Sequence, residues 1–180
     1  VDIFSYDLIA AASEGDASSG SVLAASARVA NAIRQAGAFM QYVSDGNVDE
    51  KVVSAQLITE IAKTMVSEGT VPLGDASHMQ VVLGAVVESA GFTPNLTDPE
   101  GASPDLEGAS QLLVSVDELI LDSLESQATD DPELLASDLA KIQAVVEDGI
   151  VGGYENGDTP AYLAETQTKE LLTGQKESFS

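Results

Sequence analysis

The amino-acid sequence predicts an all-α fold, a bundle of six or seven helices around a central Ala-rich helix. Three observations predict it. Apolar residues recur at steps of three and four in one segment after another, which is the period of a single helix face. No segment sustains the alternation of a half-buried strand. The core material is Ala, Val and Leu, with no Trp and only four Phe and four Tyr. Such a core has to form by close helix packing, with small residues where helices cross.

The central helix is expected over Ser21–Val43, where Val22, Ser26, Val29, Ile33, Ala36, Met40 and Val43 share a face. Its other faces are mostly Ala and Gly, and only Arg28 and Arg34 are charged. A helix that is small or apolar nearly all round is surrounded by other helices. Ala25, Ala32, Ala36 and Gly37 are then its close-contact points. Before it, Val1–Ala12 holds Ile3, Phe4, Tyr6, Leu8 and Ile9, dense enough to be buried, and reads as an extended entry into a short helix. Ser13–Ser21 is a run of turn formers in which Ser19 or Ser21 can serve as N-cap. Ser44–Asn47 ends the helix, with Gly46 as a left-handed cap.

A second helix is expected over Val48–Ser67, buried through Val52, Ala55, Ile58 (or Leu57), Ala62, Met65 and Val66. Asp49 and Glu50 suit its positive N-terminal end. Asp75 caps a third helix, Ala76–Ser89, built on Met79, Val82, Leu83, Val86 and Val87. Gly91–Gly108 contains three prolines and three glycines, which exclude a continuous helix. If the single 180-residue domain divides anywhere, it divides there. Ala109–Glu125 follows, with Leu112, Leu113, Val116, Leu119, Ile120 and Leu124 on its stripe. In Pro132–Asp148 the signal is Asp131 as N-cap with Pro132 in the first turn, and Leu135, Leu139, Ile142, Val145 and Val146 are the buried face. Gly152–Asp158 reads as a turn and Pro160–Thr173 as the last helix. Thr70–Leu73 and Gly149–Tyr154 are apolar runs long enough for one β-bridge each.

Charge restricts function more than any motif does. Thirty acids against seven Lys and Arg leave a net charge of −23. Nucleic acid is excluded as a partner, because phosphate binding needs a basic face. Anionic membranes are disfavoured for the same reason, and no apolar run approaches the roughly 20 residues of a membrane span. Without cysteine there is no disulfide, thiolate metal site or Cys nucleophile. His78 is the single histidine, and no serine sits in a strand-to-helix nucleophile elbow. The expectation is a chain with no catalytic residues and no organic cofactor.

Oxygen-rich loops are the constellation that remains. Asp45, Asn47 and Asp49 stand at alternating positions, as in the first half of a calcium loop, and are the candidate calcium ligands. The sixth position is Glu50 instead of Gly and the twelfth is Gln56 instead of Glu, both departures from that loop. Asp98, Glu100, Asp105 and Glu107 form a second oxygen-rich set, and Glu155, Asn156 and Asp158 a third.

Val1–Ile33, through Asp2, Tyr6-Asp7, Ala10–Ala12, Gly15-Asp16 and Val29-Ala30-Asn31, resembles a helical module of very large bacterial surface or secreted proteins, adhesin-like chains with cadherin-type calcium-binding repeats. Leu8 stands where that pattern has Pro. The resemblance implies a non-catalytic extracellular structural or interaction domain, a piece of a longer chain that begins at Val1 here. Its expected partner is another protein or a second copy, and calcium would stabilise its loops. The competing expectation is a helical small-ligand-binding or enzyme domain of a halophile, its acidity an adaptation to salt.

Overall fold

A computed structural model describes residues 17–68, 72–90, 106–127 and 132–167. Among them the chain is helical and contains no strand. Helix α1 spans Ala17–Ser44, α2 Glu50–Glu68, α3 Ala76–Ser89, α4 Leu106–Gln127 and α5 Pro132–Val145. A π-helical segment, Val146–Val151, carries α5 directly into α6, Gly152–Glu155. A last helical stretch, α7, covers residues 160–167. The bundle architecture expected from the sequence is the one observed. The expectations for residues 1–16, 91–105 and 168–180, and Asp131 as a cap, lie outside the described residues.

Helix α1 is the hub. It packs against α2, α4, α5, the π segment and α6, and every residue from Gln35 to Met40 is buried. The inward face differs from the expected one in the N-terminal half, where Val22 is 48 % and Val29 36 % exposed and Ala25 is also outside. Ala24, Asn31 and Gln35 face inward instead, beside Ala32, Ala36 and Gly37, which are buried as expected. The physical reason is that alanines spread around the whole helix leave no single apolar stripe to fix its rotation. A charge contact decides it, since Arg28 turns its own face toward an aspartate of α4.

Helix α2 turns most of its expected face outward, and of the alternatives Ile58 and Leu57 it is Leu57 that is buried. It buries Val53, Leu57 and Ile61, while Val52, Ile58 and Val66 are 45 %, 50 % and 89 % exposed. The helix is apolar on two opposite sides, so periodicity alone could select either. In α3 and α4 the expected residues are the buried ones, with Leu124 half-buried at the edge. Asp75 is the N-cap of α3, accepting hydrogen bonds from the Ser77 and His78 amides at 2.8 and 3.0 Å. Helix α4 starts at Leu106 and so takes in Gly108, which the sequence suggested was loop.

The expected turn at Gly152–Asp158 is a correction. The helix runs on to Glu155, and only residues 156–157 turn. Gly149–Tyr154 is helical and forms no bridge; Pro72–Gly74 is a 3-10 turn, and Thr70 and Val71 lie outside the described residues. Gly153 serves packing, not bending: a Cβ there would collide with Leu163 of α7. Removing the side chain lets α7 fold back onto the π–α6 segment, with Leu163 and Tyr154 both buried.

Candidate functional site

Helix α1 is the basic element of an acidic molecule. Its 28 residues contain two arginines and no carboxylate. Each arginine takes its acid from a distant helix. Arg28 donates from Nε to Asp117 Oδ1 at 2.5 Å and from Nη2 to Oδ2 at 2.9 Å. Asp117 is almost fully buried on α4, and a Cβ on Gly74 of the 3-10 turn would lie 3.6 Å from its Oδ2. Arg34 donates from Nε at 2.9 Å and from Nη2 at 2.9 Å to Glu147 of the π segment. These hydrogen bonds hold the Glu147 carboxyl below its ordinary range, against a smaller opposing effect of burial. Paired fork-to-carboxylate geometry fixes orientation as well as distance. The first contact ties α1 to α4, and the second marks the register of α1 against the parallel π segment beside it.

That register brings two helix ends together. Helix α1 closes in a Schellman turn: Gly46 N–H donates to Gln41 C=O at 2.9 Å and Asp45 N–H to Tyr42 C=O at 3.4 Å. The left-handed position expected for Gly46 begins one residue earlier, at Asp45 (φ 53), and Gly46 follows at φ 74. Helix α6 ends the same way, with Asp158 N–H on Gly153 C=O and Gly157 N–H on Tyr154 C=O, both 3.0 Å, and Gly157 at φ 88. An open cleft of about 480 Å³ lies between the two ends. Asp45, Gly46, Glu155, Asn156 and Gly157 line it, with Arg34, Tyr42 and Tyr154 on its inner wall. The Tyr154 ring stands 5.4 Å from Tyr42 and 6.2 Å from Phe39, which anchors the wall in the core.

Two C-termini contribute the negative ends of their dipoles, and the Asp45 and Glu155 carboxylates add to them. Arg34 on the cleft wall brings the one guanidinium among the lining residues, and it is bound to Glu147. Half-buried Tyr42 supplies the cleft with aromatic surface, the surroundings that an ammonium or guanidinium group favours, with buried Tyr154 packed behind.

Neither a protein-family model, nor a curated protein, nor a solved structure matches this chain.

The sequence-selected oxygen ligands are placed as follows. Asp45, Asn47 and Asp49 all lie in the exposed link between α1 and α2. Asp49 accepts the Lys51 amide at 2.8 Å, which is an N-cap bond on α2. Asn47 Nδ2 donates to Ser44 C=O at 2.8 Å. Among the described residues no three His, Cys, Asp or Glu side chains gather as a metal-holding group. Glu107 sits in the first turn of α4, 3.3 Å from Gln111 Nε2. Asp98, Glu100 and Asp105 lie outside the described residues. Glu155 and Asn156 do reach a common site, the cleft, together with Asp45. His78 is half-exposed at the start of α3, its Nδ1 3.5 Å from Asp75 Oδ2. No described helix is long and apolar enough to cross a membrane.

The Arg28–Asp117 and Arg34–Glu147 contacts were not read from the sequence. A signal for them existed: two bases on a carboxylate-free apolar helix, in a chain with thirty acids.

Proposed function

We propose that this chain is a non-catalytic interaction domain of an extracellular bacterial surface or secreted protein, and that its cleft receives a basic side chain of a protein partner. The observation that carries the reading is the convergence of the α1 and α6 C-termini on a cleft that also holds Asp45, Glu155 and two tyrosines. The net charge of −23 would draw a basic partner toward it over long range. Acidity, the lack of cysteine and the resemblance of Val1–Ile33 to adhesin-like modules support the extracellular setting.

Titration with an Arg- and Lys-rich peptide, followed by amide NMR shifts, tests the cleft. The expected shifts centre on Asp45–Asn47 and Glu155–Asp158 and disappear in the Asp45→Asn, Glu155→Gln variant. Shifts spread evenly over the exposed carboxylates would sink the idea. Fractionation of the source cells with an antibody to the domain tests the setting: the antigen belongs at the surface or in the medium, and a cytosolic antigen overturns it.

Calcium is part of the same proposal, at Asp45, Asn47 and Asp49, and rests on their spacing in sequence. Calcium bound there raises the melting temperature above that in sodium chloride of equal ionic strength, and Asp45→Ser removes the surplus. Equal melts take calcium out of the reading.

A further inference from the structure

A second concavity runs along the same helix. Between α1 and α5 lies an open groove of about 530 Å³. Leu23, Ala27 and Ala30 line it from α1, and Ala136, Leu139 and Ala140 from α5. The two helices are parallel, and the offset of 113 residues that joins Arg34 to Glu147 sets Ala27 level with Ala140. Alanine on both walls lets another backbone come close. The groove stops at the Arg34–Glu147 pair, and Arg34 also stands on the wall of the cleft. Groove and cleft are therefore one track along α1, apolar from Leu23 to Arg34 and lined with carboxylates beyond it.

One buried polar group belongs to the groove. Asn31 lines it and is 7 % exposed. Its Nδ2 donates to Ala27 C=O at 2.9 Å, which fixes the amide and leaves Oδ1 as an acceptor. No described residue donates to that oxygen. A buried acceptor without a donor is costly, and the groove is the side from which a donor can reach it.

Continuity and charge choose the occupant. Arg34 and Glu147, bound to each other, are the only charged residues among the groove's lining. What lies there is apolar, whereas Asp45 and Glu155 in the cleft call for a cation. From Leu23 to Arg34 the groove is about 17 Å long, or roughly three helical turns. We infer that it receives an amphipathic helix of the partner, whose apolar face fills the groove and whose basic residue lies beyond, in the cleft. This deepens the cleft reading, on which it rests, by giving the partner segment a shape. A hydroxyl or amide on the apolar face meets Asn31.

Two synthetic peptides of about 18 residues, roughly five helical turns, and of identical composition test it. One carries Leu and Ala at steps of three and four over its middle turns, flanked at both ends by Arg and Lys. The other has the same residues scrambled, without a stripe. Equal charge gives both the same long-range attraction. The ordered peptide should bind about tenfold more tightly. It should shift the amides of Ala27, Ala30, Asn31 and Ala140 together with those of Asp45 and Glu155. Its advantage should persist in molar sodium chloride, which screens charge but not apolar contact. Ala30→Asp with Ala140→Asp, both at exposed positions, should abolish the advantage. Ala25→Asp, exposed on α1 outside the groove, should keep it. Melting curves establish that the variants fold. Equal affinities, shifts confined to the cleft, or an advantage that survives in the groove variant overturn the helix and leave the cleft reading standing. Groove shifts that follow protein concentration without peptide give the groove to a second copy and overturn it too. Failure of the cleft reading looks different: shifts with either peptide then ignore Asp45 and Glu155.

Discussion

Arg28 on α1 grips Asp117 on α4 through both carboxylate oxygens, across 89 residues of chain. The aspartate is 4 % exposed and the arginine's side chain 22 %. Removing one partner is then far worse than removing both. Arg28→Ala strands a buried carboxylate and should cost roughly 3–5 kcal/mol, whereas Arg28→Met with Asp117→Leu should cost much less. A double-mutant cycle by urea denaturation measures the difference. If the two single substitutions add up to the double one, the pair does not hold α1 in place.

How much was legible follows from where the sequence offered one answer or two. Helix α3 had one apolar stripe and one capping Asp75, and both were found where expected. Helix α2 had two apolar faces, and apart from Leu57, the alternative to Ile58, the outer one was expected inside. On α1, Ala and small residues on every side left its rotation open until Arg28 met Asp117. Gly152 and Gly153 resemble a turn in sequence because nothing local says that Leu163 will need the space. The cleft was legible only in fragments. Asp45 and Glu155 were each singled out, but that they share a site depends on α1 running parallel to the π–α6 helix.

The hub position of α1 can be tested at Ala36, which has no exposed surface. Ala36→Leu forces a larger side chain into a packed crossing and should destabilise by roughly 1–3 kcal/mol. Ala25→Leu, on the exposed side of the same helix, should stay within about 0.5 kcal/mol of the parent. Equal costs at the two sites, measured by thermal or urea unfolding, would place α1 at the surface.

Gly153 and Gly149 provide a paired test of how α7 docks. A Cβ on Gly153 runs into the branched end of buried Leu163, so Gly153→Ala should cost roughly 1–3 kcal/mol by overpacking. A Cβ on Gly149 meets only the end of the Gln167 side chain, which can swing aside, so Gly149→Ala should cost clearly less. Leu163→Ala in the Gly153→Ala background should recover the overpacking part of the loss and leave that of the missing side chain. If Gly149→Ala proves the more damaging, α7 does not pack through Leu163.

Acid titration separates the Arg34–Glu147 pair from the general effect of charge. The hydrogen bond from Arg34 lowers the Glu147 pKa in the folded protein. The pair therefore contributes fully above the unfolded-state value near 4.5 and loses its contribution as pH falls through the lower, folded value. Protonation of the other carboxylates acts oppositely from neutral pH downward, because it relieves the self-repulsion of a −23 molecule. That second effect is nearly common to the parent and to Glu147→Gln, so it cancels in their difference. The side chains of both partners are 39 % exposed, and solvent screening keeps the pair within about 1 kcal/mol. Unfolding free energies of parent and variant should differ by that small amount near neutral pH and converge below about pH 4.5. A difference that widens in acid would mean that Glu147 is held by something other than the Arg34 charge.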